Sequence, residues 1–450
     1  MKDFSIYENM LDDKQYHELR SDLLEKNTAD IAQLLEHIPV DKAVLIFRML
    51  PKNMAAEVFA DLFSDVKQSL IERLSDTEIH FIIEELFLDD AADFIEEMPA
   101  TIAKKVLANA KPETREEINR LLKYPENSAG SIMTVEYVDL KREMTVRDSF
   151  ERIRKTGTDK ETLYTCYVTD SERRLEGIVT AKTLMLSERD DVIGDIMDDD
   201  GIIVAETLED QEEVAFKFNK YDLLSIPVVD SERRLVGIIT VDDIADVVQE
   251  EATEDFEKMA AMLPSEKPYL KTGVFRLFKN RIGWLLFLMI SGMGTGLILQ
   301  SFEHALVAVP LLVTFIPMLT DTGGNAGSQS STLIIRGMAV AEISLHDFLK
   351  VAWKEIRVSF LAGVVLSMVA FLRVFLMNMN DPEVYIKGAV ISLTLIFTVF
   401  IAKLCGCMLP MLAKKVKIDP AVMAAPLITT IVDASSLLVF FSIAKLLLNI

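Results

Sequence analysis

Cysteine is scarce in this chain: Cys166, Cys405 and Cys407 are all there are in 450 residues. Three thiols build no disulfide framework, and the count fits a reducing compartment. Cys405 and Cys407 stand two apart in an apolar run. Helix neighbours at that spacing point in different directions, which disfavours a soft-metal site. Basic charge is also short, with 47 Lys and Arg against 70 Asp and Glu and a formal charge of -23. Phosphate backbones would be repelled, so no nucleic-acid partner is expected, while cations are suited. The first residues, MKDFSIYENM, lack the apolar core of a signal peptide. No nucleophile–base pair, phosphate loop or zinc-ligand spacing is present, so an enzyme is not expected.

What is present is unevenly spread. Most of the acid precedes Lys271, and beyond it the chain turns apolar, which gives a positive mean hydropathy of +0.26. At about 150 residues per domain, the length suggests about three domains. Residues 1–130 read as an acidic all-α helical array. Ala29 to Pro39, Lys42 to Pro51, Asn53 to Leu62 and Asp90 to Pro99 are similar short units, often closed by proline. Proline cannot continue a helix cleanly, and no single unit can bury its apolar stripe, so the units must stack. Asp89 and Asp93 share one helix face and Glu57 lies on another unit. An ordinary solvated face is the competing reading of this segment.

Residues 131–245 hold an internal repeat. Val168-Thr-Asp-Ser-Glu-Arg-Arg-Leu-Glu-Gly-Ile-Val-Thr180 returns as Val228-Val-Asp-Ser-Glu-Arg-Arg-Leu-Val-Gly-Ile-Ile-Thr240. Each copy reads strand, turn, strand. Helical stretches, Thr145 to Thr156 and Leu208 to Tyr221, precede them, and Ser131-Ile-Met-Thr134 and Asp195-Ile-Met-Asp198 stand before those. This resembles a tandem α/β pair of CBS domains. The resemblance implies dimerisation and an adenine nucleotide such as ATP in the cleft. The ribose element would be Thr240 and Asp243; the first copy reads Thr180-Ala-Lys-Thr183, with no acid. One nucleotide site is therefore expected rather than two. Next comes an acidic connecting helix, assigned to 246–274, whose pattern begins at residue 242: Ile244, Val247 and Val248 keep helical spacing. Asp243, Asp246, Glu250, Glu251, Glu254 and Asp255 crowd its other side and repel one another. Either cations or basic neighbours occupy that face, or it is a solubilising linker.

Residues 275–450 read as an all-α membrane domain of five spans of about 20 residues or more. They run Trp284 to Gln300, Leu306 to about Ile335, Val351 to Phe375, Ile386 to Leu412, and Ala421 to Leu448. Basic residues precede the first span and lie between the second and third and between the fourth and fifth. The positive-inside rule then puts the N-terminal domains in the cytosol and the C-terminus outside. Asp433 lies near the middle of the last span, where a carboxylate costs roughly 2.5–3.5 kcal/mol on insertion scales. Such a group marks a cation route, unless a neighbouring helix satisfies it. Pro310, Pro317 and Thr320-Asp-Thr-Gly-Gly-Asn-Ala-Gly-Ser-Gln329 suggest that the second span is broken. Non-helical backbone at membrane depth survives only when covered, and its carbonyls are hard ligands. Pro426 is expected to free further carbonyls.

These features together resemble the MgtE-type magnesium channels along nearly the full length. The motifs are Phe315-Ile-Pro-Met-Leu with Thr322-Gly-Gly-Asn-Ala-Gly-Ser-Gln329, Asp419-Pro420, and Pro426-Leu-Ile-Thr-Thr-Ile-Val-Asp433. The resemblance implies a homodimer in the cell membrane that imports Mg²⁺ and is closed by intracellular Mg²⁺. It implies that Asp433 selects the ion on the dimer axis, with Gly324, Asn325, Ser328, Thr429 and Asp419 among the metal positions. Ser328 stands where the family often carries Asn. By the same resemblance the regulatory Mg²⁺ ligands are Glu57, Asp89, Asp93, Glu212, Asp222, Asp243, Asp246, Glu251, Glu254 and Asp255. Two alternatives stand beside it. One is a proton-coupled secondary transporter in which Asp433 carries the proton. The other is a membrane-tethered metal sensor without a pore.

Overall fold

The computed structural model describes residues 4–265, 269–303, 307, 309–340, 342–423 and 425–448. Its contacts divide the chain into two compact units, Met1–Val248 and Gln249–Ile450.

The first unit opens with ten short helices: α1 (Ser5–Asp12), α2 (Tyr16–Leu24), α3 (Thr28–His37), α4 (Val40–Phe47), α5 (Lys52–Ala60), α6 (Ser64–Arg73), α7 (Asp76–Glu85), α8 (Leu88–Glu97), α9 (Ala100–Asn109) and α10 (Pro112–Leu121). Pro39, Pro51 and Pro99 are the residues just before α4, α5 and α9. A residue before a helix needs no helical N–H, so one proline ends one unit and starts the next. Each helix is too short to be stable alone. Stability comes from stacked apolar faces. Phe59 meets Phe47 at 6.3 Å and Phe94 at 4.9 Å, edge to face, so the rings link α4, α5 and α8 through one core.

The repeat forms two three-stranded sheets. The first is β1 (Asp139–Leu140), β2 (Thr165–Thr169) and β3 (Leu175–Thr180). The second is β4 (Ala205–Glu206), β5 (Ser225–Val229) and β6 (Leu235–Thr240). In each, the first pair is parallel and the second antiparallel. The Asp-Ser-Glu-Arg-Arg turn works alike in both copies. Asp170 Oδ1 accepts from the Glu172 and Arg174 amides, and Asp230 Oδ1 from those of Glu232 and Arg234. The turns also bond each other, Leu175 N to Arg233 O and Leu235 N to Arg173 O, giving the pair its pseudo-symmetry. Met133 lies over Gly237 and Met197 over Gly177, with each sulfur 2.6 Å from where a Cβ would stand. Glycine is therefore required there. Helices α11 (Val146–Thr156), α12 (Ala181–Leu186), α13 (Ile193–Ile196) and α14 (Gln211–Tyr221) complete the pair.

The connecting helix α15 (Val241–Met259) follows β6 directly. It closes at Met259, short of the 274 that the acidic pattern suggested, and Ala261 takes a left-handed φ of 54°. The continuation is irregular: Leu263 N bonds Asn280 O and Asn280 Nδ2 bonds Pro264 O. Residues 266–268 of the expected helix lie outside the described residues.

The second unit is helical. Among the described residues, four stretches are long and apolar enough to cross a membrane: Val274–Ser301, Leu345–Met377, Val384–Lys415 and Pro420–Leu448. The glycine-rich helix Ile316–Ala339 lies among them but carries too many polar residues to join that set. It corrects where the span breaks: the interruption falls at Thr314 and Phe315, and the expected non-helical stretch 320–329 is helical. After the short helix Pro310–Val313 the chain turns at Thr314 and Phe315, then runs as one helix through Thr320 to Gln329. Pro317 falls in the first turn, where no N–H is missed. The glycines serve close packing: a Cβ on Gly323 would meet Thr398 and Val432 at 2.7 Å, and one on Gly327 would meet Ile428 at 2.6 Å. Small residues let helix backbones approach in just this way. Pro426 likewise lies in the first turn of the C-terminal helix Ala425–Leu448 and frees no carbonyl within it. The interior proline is Pro410, in Val384–Lys415.

Candidate cation sites

The first site surrounds Asp433, which is half-buried at mid-length in the C-terminal helix. Asp321, on the glycine-rich helix, is the charged group that acts on it. Asp321, Asn325 and Gln329 recur at four-residue spacing and are exposed, so they make a polar stripe on one helix face. Neither carboxylate has a hydrogen bond or ion pair among the described residues. Among the described residues no neighbouring helix satisfies Asp433. Of the other expected positions, Gly324 is buried, and a Cβ there would meet Thr429 at 2.8 Å. Ser328 Oγ donates to Gly324 O at 2.8 Å, and Thr429 Oγ1 to Pro426 O at 2.9 Å, leaving hydroxyl lone pairs as their offer to a cation. Among the described residues, the backbone carbonyls foreseen as free between Thr320 and Gln329 lie within regular helix. Sequence reasoning passed over Asp321, although its spacing to Asn325 was a readable signal.

A second group lies at the start of the C-terminal helix. Lys258 Nζ contacts Asp419 Oδ2 and Glu254 Oε1, each at 2.7 Å. Asp419 also caps the short turn Pro420–Met423, accepting from Ala421 N at 2.8 Å. Burial and then Asp419 push the Asp255 carboxyl up to about 6, with Lys258 opposing. Burial works against the Lys258 charge, but the bonds to Asp419 and Glu254 prevail and hold it above the usual lysine range. Asp419, expected as a metal position, is thus held by an amine. Glu251 adds to the negative field on Asp255.

The third group is in the first unit, where α8 meets the CBS pair. Asp89 is 7% exposed. Burial, then the charges of Asp243, Asp90 and Glu161, push its carboxyl well above the ordinary range. Burial and then Asp243 raise Glu161 to about 8. Asp243 rises to about 6 through burial, despite the Thr240 hydroxyl, which donates to its Oδ2 at 2.6 Å. Asp93 is reached by solvent at the rim, yet crowding by protein and then Asp90, Glu97 and Asp243 raise it. Asp89 Oδ1 and Glu161 Oε2 are buried with no hydrogen-bond partner among the described residues. Leaving such oxygens dry is costly unless something neutralises them. No three of these groups converge closely enough to grip a bare ion among the described residues. Glu57 and Asp246 both act on Asp61, which in turn acts on Asp90 and so extends the same acidic cluster. Glu212 and Asp222 sit at opposite ends of α14, with Asp222 at a left-handed φ of 51°. Cys407 is buried, Cys405 half-buried, and both are free thiols.

A stacked helical array and a CBS pair, followed by membrane-length helices with uncompensated carboxylates, define an integral membrane protein built around a CBS pair. Comparison with known proteins makes the assignment specific. The family described as MgtE, divalent cation transporter, matches residues 316–443. The MgtE intracellular N domain matches 26–127, and the CBS domain 129–189 and 193–250. The chain is 37% identical to the magnesium transporter MgtE of Thermus thermophilus over 435 residues, covering 96% of this chain and 95% of that protein. It is 30% identical to the magnesium transporter MgtE of Bacillus subtilis, covering 97% and 95%. A crystal structure of the cytosolic domain of the Mg²⁺ channel MgtE in complex with ATP aligns with a TM-score of 0.51 at 34% identity. It covers 53% of this chain and 98% of that one. The chain belongs to the MgtE family.

Proposed function

We propose that the chain is a Mg²⁺-selective channel that imports Mg²⁺ across the cell membrane as a homodimer and is closed by cytosolic Mg²⁺. The observation that carries the reading is Asp433: a mid-helix carboxylate without a partner among the described residues, beside an exposed polar stripe. A second copy across a two-fold axis brings two such carboxylates together. Mg²⁺ gives up water reluctantly and binds through one or two carboxylates with waters retained, so two Asp433 side chains suit a largely hydrated ion. The names of the relatives, magnesium transporters, support Mg²⁺ as cargo. Basic flanks before the first apolar helix and at Lys414, Lys415 and Lys417 support cytosolic N-terminal domains.

Closure follows from charge. Without Mg²⁺, the carboxylates around Asp89 and Asp243 repel. A pair about 4 Å apart contributes on the order of 1–4 kcal/mol, depending on screening. Mg²⁺ bridges them and favours the compact state by its differential affinity. ATP is a further ligand of the CBS pair in this reading. It is supported by the ATP complex of the related cytosolic domain and by the Thr240–Asp243 hydrogen bond at the expected ribose element. The first copy has Thr180 bonded to Thr183 instead, at 2.9 Å, which supports one site per chain.

A proton-coupled carrier needs an unwound second span to hold an anionic solute, and the helical course of residues 320–329 within Ile316–Ala339 counts against it. A sensor without a pore leaves Asp433 unexplained. Mg²⁺ flux into liposomes holding the purified protein tests the proposal. Flux abolished by Asp433→Asn supports it, and a protein that passes no Mg²⁺ refutes it.

A further inference from the structure

We propose that Glu161, carried by the first CBS copy, is a ligand for a hydrated divalent cation held between Asp89 and Asp243. The inference rests on the sensor reading above and adds a donor from an element outside the acidic helices.

Position comes first. Glu161 lies between the 3-10 turn Gly157–Asp159 and β2. Its amide bonds Glu136 O at 2.9 Å. Glu136 in turn accepts the amide of Leu88, the first residue of α8, on Oε2 at 2.9 Å. Thr134 Oγ1 donates to the same oxygen at 3.2 Å. These bonds run from Glu161 straight to the first turn of α8, where Asp89 sits. The segment at Glu136, which leads into β1, thus ties Glu161 to the first turn of α8.

Two oxygens then need a partner. Asp89 Oδ1 and Glu161 Oε2 come from different elements, and both are buried and unsatisfied among the described residues. Asp243 acts on both. Two lysines are near: Lys67 acts on Asp90, and Lys160 on Glu136. No ion pair joins either to Asp89, Glu161 or Asp243 among the described residues. The buried charge is left for a ligand to neutralise.

The donor set decides the chemistry. All the donors are carboxylate oxygens, which suits a hard cation and not a thiolate- or imidazole-seeking one. The carboxylates do not close on a bare ion. A hydrated Mg²⁺, touching one or two carboxylates and reaching the rest through its waters, fits that spacing.

The test uses the full chain in detergent, with limited proteolysis followed as MgCl₂ is raised. Glu161→Gln keeps the shape and removes the charge, and its melting temperature without Mg²⁺ should equal or exceed the wild type's. The Mg²⁺ concentration for half-protection should rise several-fold, and Glu161→Asp should recover part of the loss. Half-protection by Glu161→Gln at the same or lower Mg²⁺ than wild type would overturn the inference, since Glu161 would then only repel. Asp243→Asn separates the two ideas. If it weakens protection while Glu161→Gln does not, the inference about Glu161 falls and the sensor stands. If Mg²⁺ never protects the wild type, both fall.

Discussion

Lys258 of the connecting helix bonds Asp419, the residue that caps the entry to the Asp433 helix, with 2.7 Å between Nζ and Oδ2. The same amine holds Glu254 at 2.7 Å, so a built-in cation sits among carboxylates of the acidic helix and the membrane unit. A lysine can give way to a divalent ion of higher charge. Replacing Lys258 with Met leaves Asp419, Glu254 and Asp255 uncompensated. Protease protection of residues 250–270 should fall without Mg²⁺ and return when Mg²⁺ is added, so its Mg²⁺ dependence steepens. Undiminished protection of the variant in chelator would show that the contact carries no weight.

Asp433→Asn keeps size and removes charge. Mg²⁺ flux into liposomes should drop on the order of tenfold or more, each 1.36 kcal/mol of barrier being tenfold, while the protein still folds. Asp433→Glu should be milder, because the longer arm shifts oxygens that Mg²⁺ requires in near-ideal geometry. Asp321→Asn, one helix away, should lower flux less than Asp433→Asn. Wild-type flux in Asp433→Asn would remove Asp433 from the ion path.

The buried carboxylates set a pH dependence of stability. Asp243 and Glu161 are raised to about 6 and about 8, burial being the main cause. Folding therefore favours their protonated forms. Below about pH 4 they are protonated folded or unfolded, and the stabilisation is fully present. It is lost as pH climbs through about 6 and about 8. In chelator, the melting temperature of the first unit within the full chain should fall by several degrees between pH 5 and pH 8.5. Millimolar Mg²⁺ should flatten the slope by stabilising the charged form. A slope that is unchanged by Mg²⁺ would contradict cation binding at this cluster.

ATP should bind once per chain in titration calorimetry. Asp243→Ala should weaken it, since the carboxylate now held by Thr240 would no longer be there for the ribose. Thr180→Ala in the first copy should leave the affinity unchanged. Absence of heat with every adenine nucleotide would remove nucleotide from the account.

Much of the soluble architecture was legible because its signals are local. The two Asp-Ser-Glu-Arg-Arg turns repeat in sequence and build identical Asx bonds at Asp170 and Asp230. Prolines 39, 51 and 99 punctuate the helices where they were expected to. The glycine-rich helix was misread, because glycine and proline break a helix in isolation. Here Pro317 occupies the first turn, and Gly323, Gly324 and Gly327 are paired with side chains from two other helices. That pairing is tertiary and leaves no local trace. Asp243, Asp89 and Asp93 were readable as candidates, but Glu161 was not: it sits in a loop, and its burial comes from distant elements. The Lys258–Asp419 contact spans more than 150 residues and was equally hidden.

The central claim is a pore that cytosolic Mg²⁺ shuts. Its most direct test is current through excised membrane patches holding the wild-type chain, with Mg²⁺ varied on the cytosolic face at fixed pH. The account predicts an ohmic Mg²⁺ current whose open probability falls as cytosolic Mg²⁺ rises. It predicts that this dependence flattens when Asp243, Asp246, Glu251, Glu254 and Asp255 are neutralised together. A current that is indifferent to cytosolic Mg²⁺, or transport that saturates like a carrier and follows the proton gradient, would contradict it.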